Sequence, residues 1–267
     1  MEGLSSSFTV PGPLRAGLSY YGPGVLHDAH THRTPHVSVL VAGSFRETTP
    51  RGEQTLWPGS VGFRADDSRH AVRFGPAGAL ILNVDVRDWA GADTPKTGVR
   101  WIGAPAPFAR DLLGLAGSRR PEAGAELADR LVDLWAIGWR RDRTALRHPP
   151  AWLRAAAERL LESPGDTSIA ALAARLGVHR VHLARQFQLC YGMAPSIFRR
   201  RAMASRALAA ALTRDGRLAD AAAEAGFADQ SHMARTVRET CAMSVGEIRQ
   251  LLLRQVSSVQ AAGPATG

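Results

Sequence analysis

The sequence predicts a two-domain α+β protein: a β-rich N-terminal half followed by an all-α C-terminal half that carries a helix-turn-helix written twice. Three observations lead there. Short β-branched runs punctuated by Pro58-Gly59 and Gly75-Pro76 fill residues 1–104, apolar spacing turns helical after Pro105 and Pro107, and Leu172 to Arg199 repeats as Ala221 to Arg249.

In the first half, Val37 to Val41, Ser60 to Phe63, Ala71 to Phe74 and Leu80 to Val86 are expected as short strands joined by tight turns, the pattern of an all-β sandwich or barrel. Phe108, Leu112 and Leu115 then fall at helical spacing, and Leu127, Leu131, Leu134, Trp135 and Gly138 lie along one helical face. These two helices suit an interdomain linker or a dimer contact, or packing against the strands. Beyond Pro150, Trp152 to Glu162 forms a helix that Pro164-Gly165-Asp166-Thr167 breaks. Thr167 or Ser168 can cap Ile169 to Leu176, Gly177 supplies the turn, and Arg180 to Leu189 makes the reader helix, anchored by Leu183 and Phe187. Pro195 opens a long helix through Leu212 that bears Arg199, Arg200, Arg201 and Arg206, and Asp215-Gly216 stops it. The expected divisions are 1–104 for the β domain, 105–148 for the helical linker or dimerisation segment, 149–254 for the paired helical motifs, and a disordered tail at 255–267.

The repeat can be checked residue by residue. Leu183-Ala184-Arg185 aligns with Met233-Ala234-Arg235, and Met193 to Arg199 with Met243 to Arg249, at an offset of 50; upstream, Leu176-Gly177-Val178 aligns with Ala225-Gly226-Phe227 at an offset of 49. The second copy therefore has one extra residue in its turn.

Composition narrows the class. At 267 residues with 45% hydrophobic content the chain can bury two cores, and no apolar run approaches the length of a membrane span. The N-terminus lacks a basic stretch followed by an apolar one, so a cytoplasmic location is expected. Cys190 and Cys241, without nearby histidine partners, are expected as ordinary core or surface residues rather than a disulfide or zinc pair. From Ala151 onward 15 arginines face 9 acids, and Thr167 to Arg214 holds eight arginines and no acid. One-signed charge of this kind is the footprint of a surface that meets phosphates, or else a solvated face in an arginine-rich chain.

The segment Gly226-Phe227-Ala228-Asp229-Gln230-Ser231-His232-Met233-Ala234-Arg235 resembles the signature of the AraC/XylS family of bacterial transcription regulators, and the likeness extends over about the last hundred residues. Val237, Ala242 and Val245 depart from the family's usual Phe, Gly and Pro, at packing or capping positions. The resemblance implies double-stranded DNA as partner, a small-molecule effector, a homodimer, and contact with RNA polymerase if the protein is an activator. It further implies base contacts from Arg180, Val181, Ala184 and Arg185 in the first reader helix and from Gln230, Ser231 and Arg235 in the second. Chemistry agrees, since arginine pairs with guanine O6 and N7 and glutamine with adenine N6 and N7, although Arg185 and Arg235 could instead anchor phosphates.

Five of nine histidines lie between His27 and His70. His30-Thr31-His32, His36 and His70 resemble the two short motifs of the cupin barrel, with His36 where an acid is usual, so the N-terminal half is expected to be cupin-like. His30 and His32, two apart on a strand, face the same way and could share an ion. The expectation is nevertheless ordinary pocket or surface histidines, no metal, no cofactor and no enzymatic activity, with a small effector enclosed by the barrel and Trp57, Phe45 and Phe63 as wall candidates. A metal-dependent cupin enzyme fused to a DNA-binding module is the alternative. A DNA-alkylation repair protein is disfavoured, because no cysteine precedes Cys190 to serve as its nucleophile.

Overall fold

A computed structural model describes residues 4–9, 14–32, 34–64, 68–86, 99–103, 108–140, 149–213 and 217–253. The tail from 255, the stop at Asp215-Gly216, the helix end beyond Arg140 and the boundaries expected at 104 and 148 lie outside these residues.

The first half forms eight strands: β1 Leu4–Thr9, β2 Arg15–Tyr21, β3 Leu26–His30, β4 His36–Thr49, β5 Gly52–Leu56, β6 Ser60–Arg64, β7 His70–Asp85 and β8 Val99–Gly103. All pair antiparallel in one sheet of order β1-β2-β7-β4-β6-β8, with β3 added on β7 and β5 on β4. Two long strands, β4 and β7, thus carry the sheet, each pairing with different neighbours along its two halves.

Their pairing slips twice, between Leu40 and Ala42 and between Gly43 and Phe45. At the second slip Gly43 pairs with Ala79 and Phe45 with Phe74, so Gly75 to Gly78 bulge opposite Ser44 alone. This corrects the expectation of two strands separated by a turn at Gly75-Pro76: the dipeptide sits in a bulge within a single strand. There the interrupted ladder tolerates a residue without an N–H. Only glycine fits the crossing, because Gly43 has φ +82 and a Cβ there would lie 2.0 Å from the Gly78 carbonyl oxygen. The bulge bends the sheet over itself, and alternation then sorts side chains to two faces. On β7, Leu80, Leu82 and Val84 join the core shared with the helices, while Ala79 and Ile81 join a smaller inner cluster with Leu40, Phe45, Phe74 and Trp101.

Nine helices follow among the described residues: α1 Phe108–Ala116, α2 Ala123–Arg140, α3 Ala151–Glu162, α4 Ile169–Arg175, α5 Arg180–Tyr191, α6 Pro195–Thr213, α7 Leu218–Glu224, α8 Gln230–Cys241 and α9 Val245–Leu253. The apolar stripe of α2 is buried within its own chain at Ala123, Leu127, Leu131 and Leu134, and α1 packs on α2, α8 and β4. The two helical motifs are held differently. The first has its own core of Leu153, Leu160, Leu172, Leu183, Phe187 and Phe198, which Trp57 of the sheet half joins. The second shares one core with the sheet, Met233, Val237 and Ile248 lying in the same cluster as Leu18, Val39 and Leu82. Both cysteines are buried in helices, and burial pushes the Cys241 thiol up to about 12.

Helix ends follow from sequence. Ser168 Oγ accepts from the Ala171 N–H at 3.0 Å, while Thr167 instead donates to the Ser163 carbonyl. Asp229 Oδ1 caps α8 through the His232 N–H at 2.7 Å, and Ser244 with Glu247 forms a reciprocal capping box on α9. The equivalent C-caps of α5 and α8 are Gly192 at φ +68 and Ala242 at φ +57. A left-handed alanine costs about 1–2 kcal/mol, offset in part by the freedom glycine would regain on unfolding. Ala242→Gly is therefore expected to raise stability by roughly 0.5–1 kcal/mol and Gly192→Ala to lower it similarly. Denaturant midpoints at unchanged m-value check both.

Candidate DNA interface and sheet pocket

The two motifs superpose in length as well as in sequence. Helices α4 and α7 are seven residues each at an offset of 49, and α5 and α8 twelve each at an offset of 50. Four residues separate the first pair and five the second, so the extra residue lies in the second turn. The second turn also meets the break between α3 and α4: Gly226 approaches Gly165 so closely that a Cβ on it would lie 2.6 Å from the Gly165 Cα.

Arg180, Val181 and Arg185 on α5 and Gln230, Ser231 and Arg235 on α8 are exposed, and Ala184 is half-buried. Val181 and Arg185 on α5, and Ser231 and Arg235 on α8, lie opposite the buried Leu183 and Phe187, or Met233 and Val237, while Arg180 and Gln230 are exposed at the first position of each helix. Ala234, the counterpart of Ala184, is exposed too and belongs with them by position. Neither Arg185 nor Arg235 has an ion-pair partner among the described residues.

The basic stretch on α6 is a different matter. Arg199 Nε donates to the Pro164 carbonyl at 2.6 Å, Arg201 Nη1 to the Pro58 carbonyl at 3.0 Å, and Arg206 to the Glu162 carbonyl. Arg249, the repeat counterpart of Arg199, donates to the Ala211 carbonyl. These arginines brace turns and helix ends; of the four on α6, Arg200 alone has no such carbonyl among the described residues and lies 3.9 Å from Glu239. Charge count alone could not separate bracing arginines from facing ones.

The inner face of the bent sheet holds a pocket of about 50 Å³ lined by His27, His30, His32, His36, His70, Arg64 and apolar side chains including Phe45, Phe74 and Ile81. Of the three expected wall residues only Phe45 reaches it. Phe63 lies in the core shared with the helices, and Trp57 turns outward onto Tyr191 of α5, ring centroids 4.5 Å apart. That indole floors a second cleft, of about 360 Å³, between β5 and α3, where Arg46 lies 3.5 Å from Glu53 and 3.6 Å from Glu158.

His30, His32 and His70 converge, with ligand nitrogens within 4.8 Å of one another. The sequence leads to an expectation of no metal, yet three imidazole nitrogens at this spacing fit one. Nδ1 of His30 and of His70 each faces the carbonyl two residues before it, at 2.8 and 3.2 Å, which turns Nε2 outward as a lone-pair donor. Burial, reinforced by His36 and Arg64, pushes His32 down to about 3, and burial with Arg64 pushes His70 down to about 4. Neutral imidazoles suit a divalent transition metal such as zinc. His36, in the place of the usual acid, stacks edge-on to His32 at 4.7 Å and stands outside the trio.

Behind the histidines lies a buried ion pair that sequence reasoning missed. Arg64 Nη2 is 2.7 Å from Glu47 Oε1, with side-chain exposures of 5% and 0%, and Glu47 Oε2 accepts from Trp101 Nε1 at 2.6 Å and Gln54 Nε2 at 3.1 Å. The Arg64 guanidinium also lies over the Trp101 ring, 5.2 Å from its centroid. Alternation held the signal: Val61 and Phe63 face the shared core, which turns Arg64 to the other side, as Phe45 turns Glu47 inward with it.

Residues 172–251 match the family model described as "Helix-turn-helix domain", which is of the AraC type. No curated protein matches the chain. Among solved structures, ToxT of Vibrio cholerae is 8% identical over 90% of this chain and 99% of its own, with a TM-score of 0.40. The oxalate decarboxylase of Bacillus subtilis is 20% identical over 32% of this chain, at 0.28, and the match spans only 25% of the decarboxylase. The C-terminal domain of the response regulator AraT from Geobacillus stearothermophilus is 17% identical over 39% of this chain and 87% of its own, at 0.36. The C-terminal part of the chain is thus an AraC-type helix-turn-helix domain, and by class the protein is a DNA-binding transcription regulator with a β-sheet domain before it.

The depressed histidines set a pH dependence. The unfolded chain binds protons near pH 6.5 and the folded chain only near 4 to 3, so stability is full above 6.5 and falls as pH drops through that window. Chelator-treated protein should lose stability between pH 7 and 4, and His32→Gln or His70→Gln should flatten the loss, as read by denaturant titration at each pH.

Proposed function

We propose that the protein controls transcription, most simply as an activator, in response to a small molecule held by its sheet domain. Residues 1–104 serve as effector sensor, 105–148 as helical linker and 149–254 as the DNA-binding domain. The carrying observation is the pair of equal reader helices, each presenting an exposed arginine at the same position, Arg185 on α5 and Arg235 on α8. With Arg180, Val181, Ala184, Gln230 and Ser231 they would read two successive major grooves. A homodimer would present two such modules; because Leu127, Leu131 and Leu134 of α2 are buried within their own chain, it would form on a surface other than theirs. RNA polymerase is the further partner of an activator. Among the described residues no helix is long and apolar enough to cross a membrane, and the place of action is the cytoplasm, where the DNA is.

Contacts between the halves support effector control. The Gly43 N–H donates to Ser205 Oγ at 2.7 Å, Arg201 holds the Pro58 carbonyl, and Arg46 pairs with Glu158. An effector acts only by its differential affinity for the arrangements these contacts allow.

A second reading has its own observation, the histidine trio. A bound divalent metal there would supply Lewis-acid chemistry beside Arg64, as in a cupin enzyme fused to a DNA-binding module. Stoichiometric metal that is lost on replacing His30 and His32, together with turnover of a small substrate, would favour it.

Arg185→Ala and Arg235→Ala are each expected to cost about 1–3 kcal/mol of specific binding and to relax preference at one base position. Selection from random DNA compared with wild type checks this; unchanged selectivity in both variants removes the reader role.

A further inference from the structure

The guanidinium of Arg64 is 5% exposed, yet its Nη1 has no hydrogen-bond partner among the described residues. Its Nη2 lies 2.7 Å from Glu47 Oε1, an oxygen that likewise has no hydrogen-bond partner among the described residues, and the group lies over the Trp101 ring. Glu47 is in turn pinned by two donors, Trp101 Nε1 and Gln54 Nε2, so the guanidinium is fixed rather than free to turn toward a protein acceptor. A buried donor left unmade costs about 1–3 kcal/mol, and more for a charged group. A buried polar group of this kind is met in native folds by an ordered water, an ion or a ligand.

Arg64 lines the sheet pocket, and the rest of that lining says what kind of acceptor arrives. One wall is polar, with Ser38 donating to Asn83 Oδ1 at 2.7 Å. The rest of the lining includes Phe45, Phe74 and Ile81, an apolar surface on which an inorganic oxoanion would lose hydration without return. At about 50 Å³ the pocket has room for about four water-sized groups. Among the described residues no acidic side chain lines the pocket itself, the adjoining carboxylate being that of Glu47 at 2.7 Å from Arg64 Nη2.

We propose that this pocket binds a short-chain carboxylate of two or three carbons, its carboxylate accepting from Arg64 Nη1 and its alkyl end on Phe45, Phe74 and Ile81. The proposal rests on the reading of the sheet domain as the sensor and names the chemical class of its effector. The ligand would report to the helical half through short covalent steps. Glu47 follows Arg46, which pairs with Glu158 on α3, and Arg64 ends the strand that starts beside Pro58, the carbonyl held by Arg201.

The test is calorimetric titration of the full chelator-treated chain with propionate, with its neutral isostere propionamide, and with inorganic phosphate. Propionate is expected to bind one per chain, with propionamide and phosphate each about tenfold weaker or worse, the loss of one charge-assisted hydrogen bond or of the apolar contact. Arg64→Gln paired with Glu47→Gln, which leaves no lone buried charge, should weaken propionate by about tenfold as well. No propionate binding to the wild type, equal binding of propionamide, tighter binding of phosphate, or undiminished binding by the folded double variant would overturn the proposal; the wild-type comparisons stand even if that variant does not fold. Binding of the same protein to selected DNA is measured alongside. Propionate failing while DNA binding persists removes only the carboxylate, whereas absent DNA binding counts against the regulator itself.

Discussion

The close seating of α6 against both halves of the molecule is the constraint on which the rest depends. Its buried positions are mostly small, Ala202, Ala204, Ser205, Ala207, Ala209 and Ala211, so neighbours approach it from several sides at once. It touches β4 and β7 of the sheet, α3 and α5 of the first motif and α7, α8 and α9 of the second. Small side chains there allow a backbone N–H of the sheet, that of Gly43, to reach a helix hydroxyl, Ser205, which itself donates to the Arg201 carbonyl at 2.8 Å. A larger residue on that face would push sheet and reader helices apart together, because interiors at this density relax only in part.

This seating makes the two reader helices unequal partners of the sensor. Helix α8 belongs to the sheet's own core, whereas the first motif meets the sheet half through the Trp57–Tyr191 contact of α5 and the ion pair of Arg46 with Glu158 on α3. A change in the sheet reaches the first motif through the buried Trp57 indole and a few polar contacts, and reaches the second through a shared core.

Much of this was legible in the sequence where one local rule decided the outcome. The turn glycines, the cap at Ser168, the 49- and 50-residue offsets and the exposed faces of α5 and α8 all follow from short-range chemistry. The long strands were not legible, because Gly75-Pro76 is the same signal in a turn and in a bulge, and only the facing Gly43 tells them apart. Nor could charge count show that Arg199, Arg201 and Arg206 brace carbonyls, since their acceptors lie 35 to 143 residues away. The Arg64–Glu47 pair stayed hidden for a related reason: each reads as a solvent-facing residue until the sheet folds over and turns that face inward.

Hydroxyl-radical footprinting of the full chain on DNA fragments it selects from random sequence tests most directly whether α6 fixes the two readers at one separation. Two protected patches on one face of the duplex are predicted, about 10 base pairs apart, and lost together when half a helical turn is inserted between them. A single protected groove, or two patches that tolerate the insertion, would contradict a rigid pair.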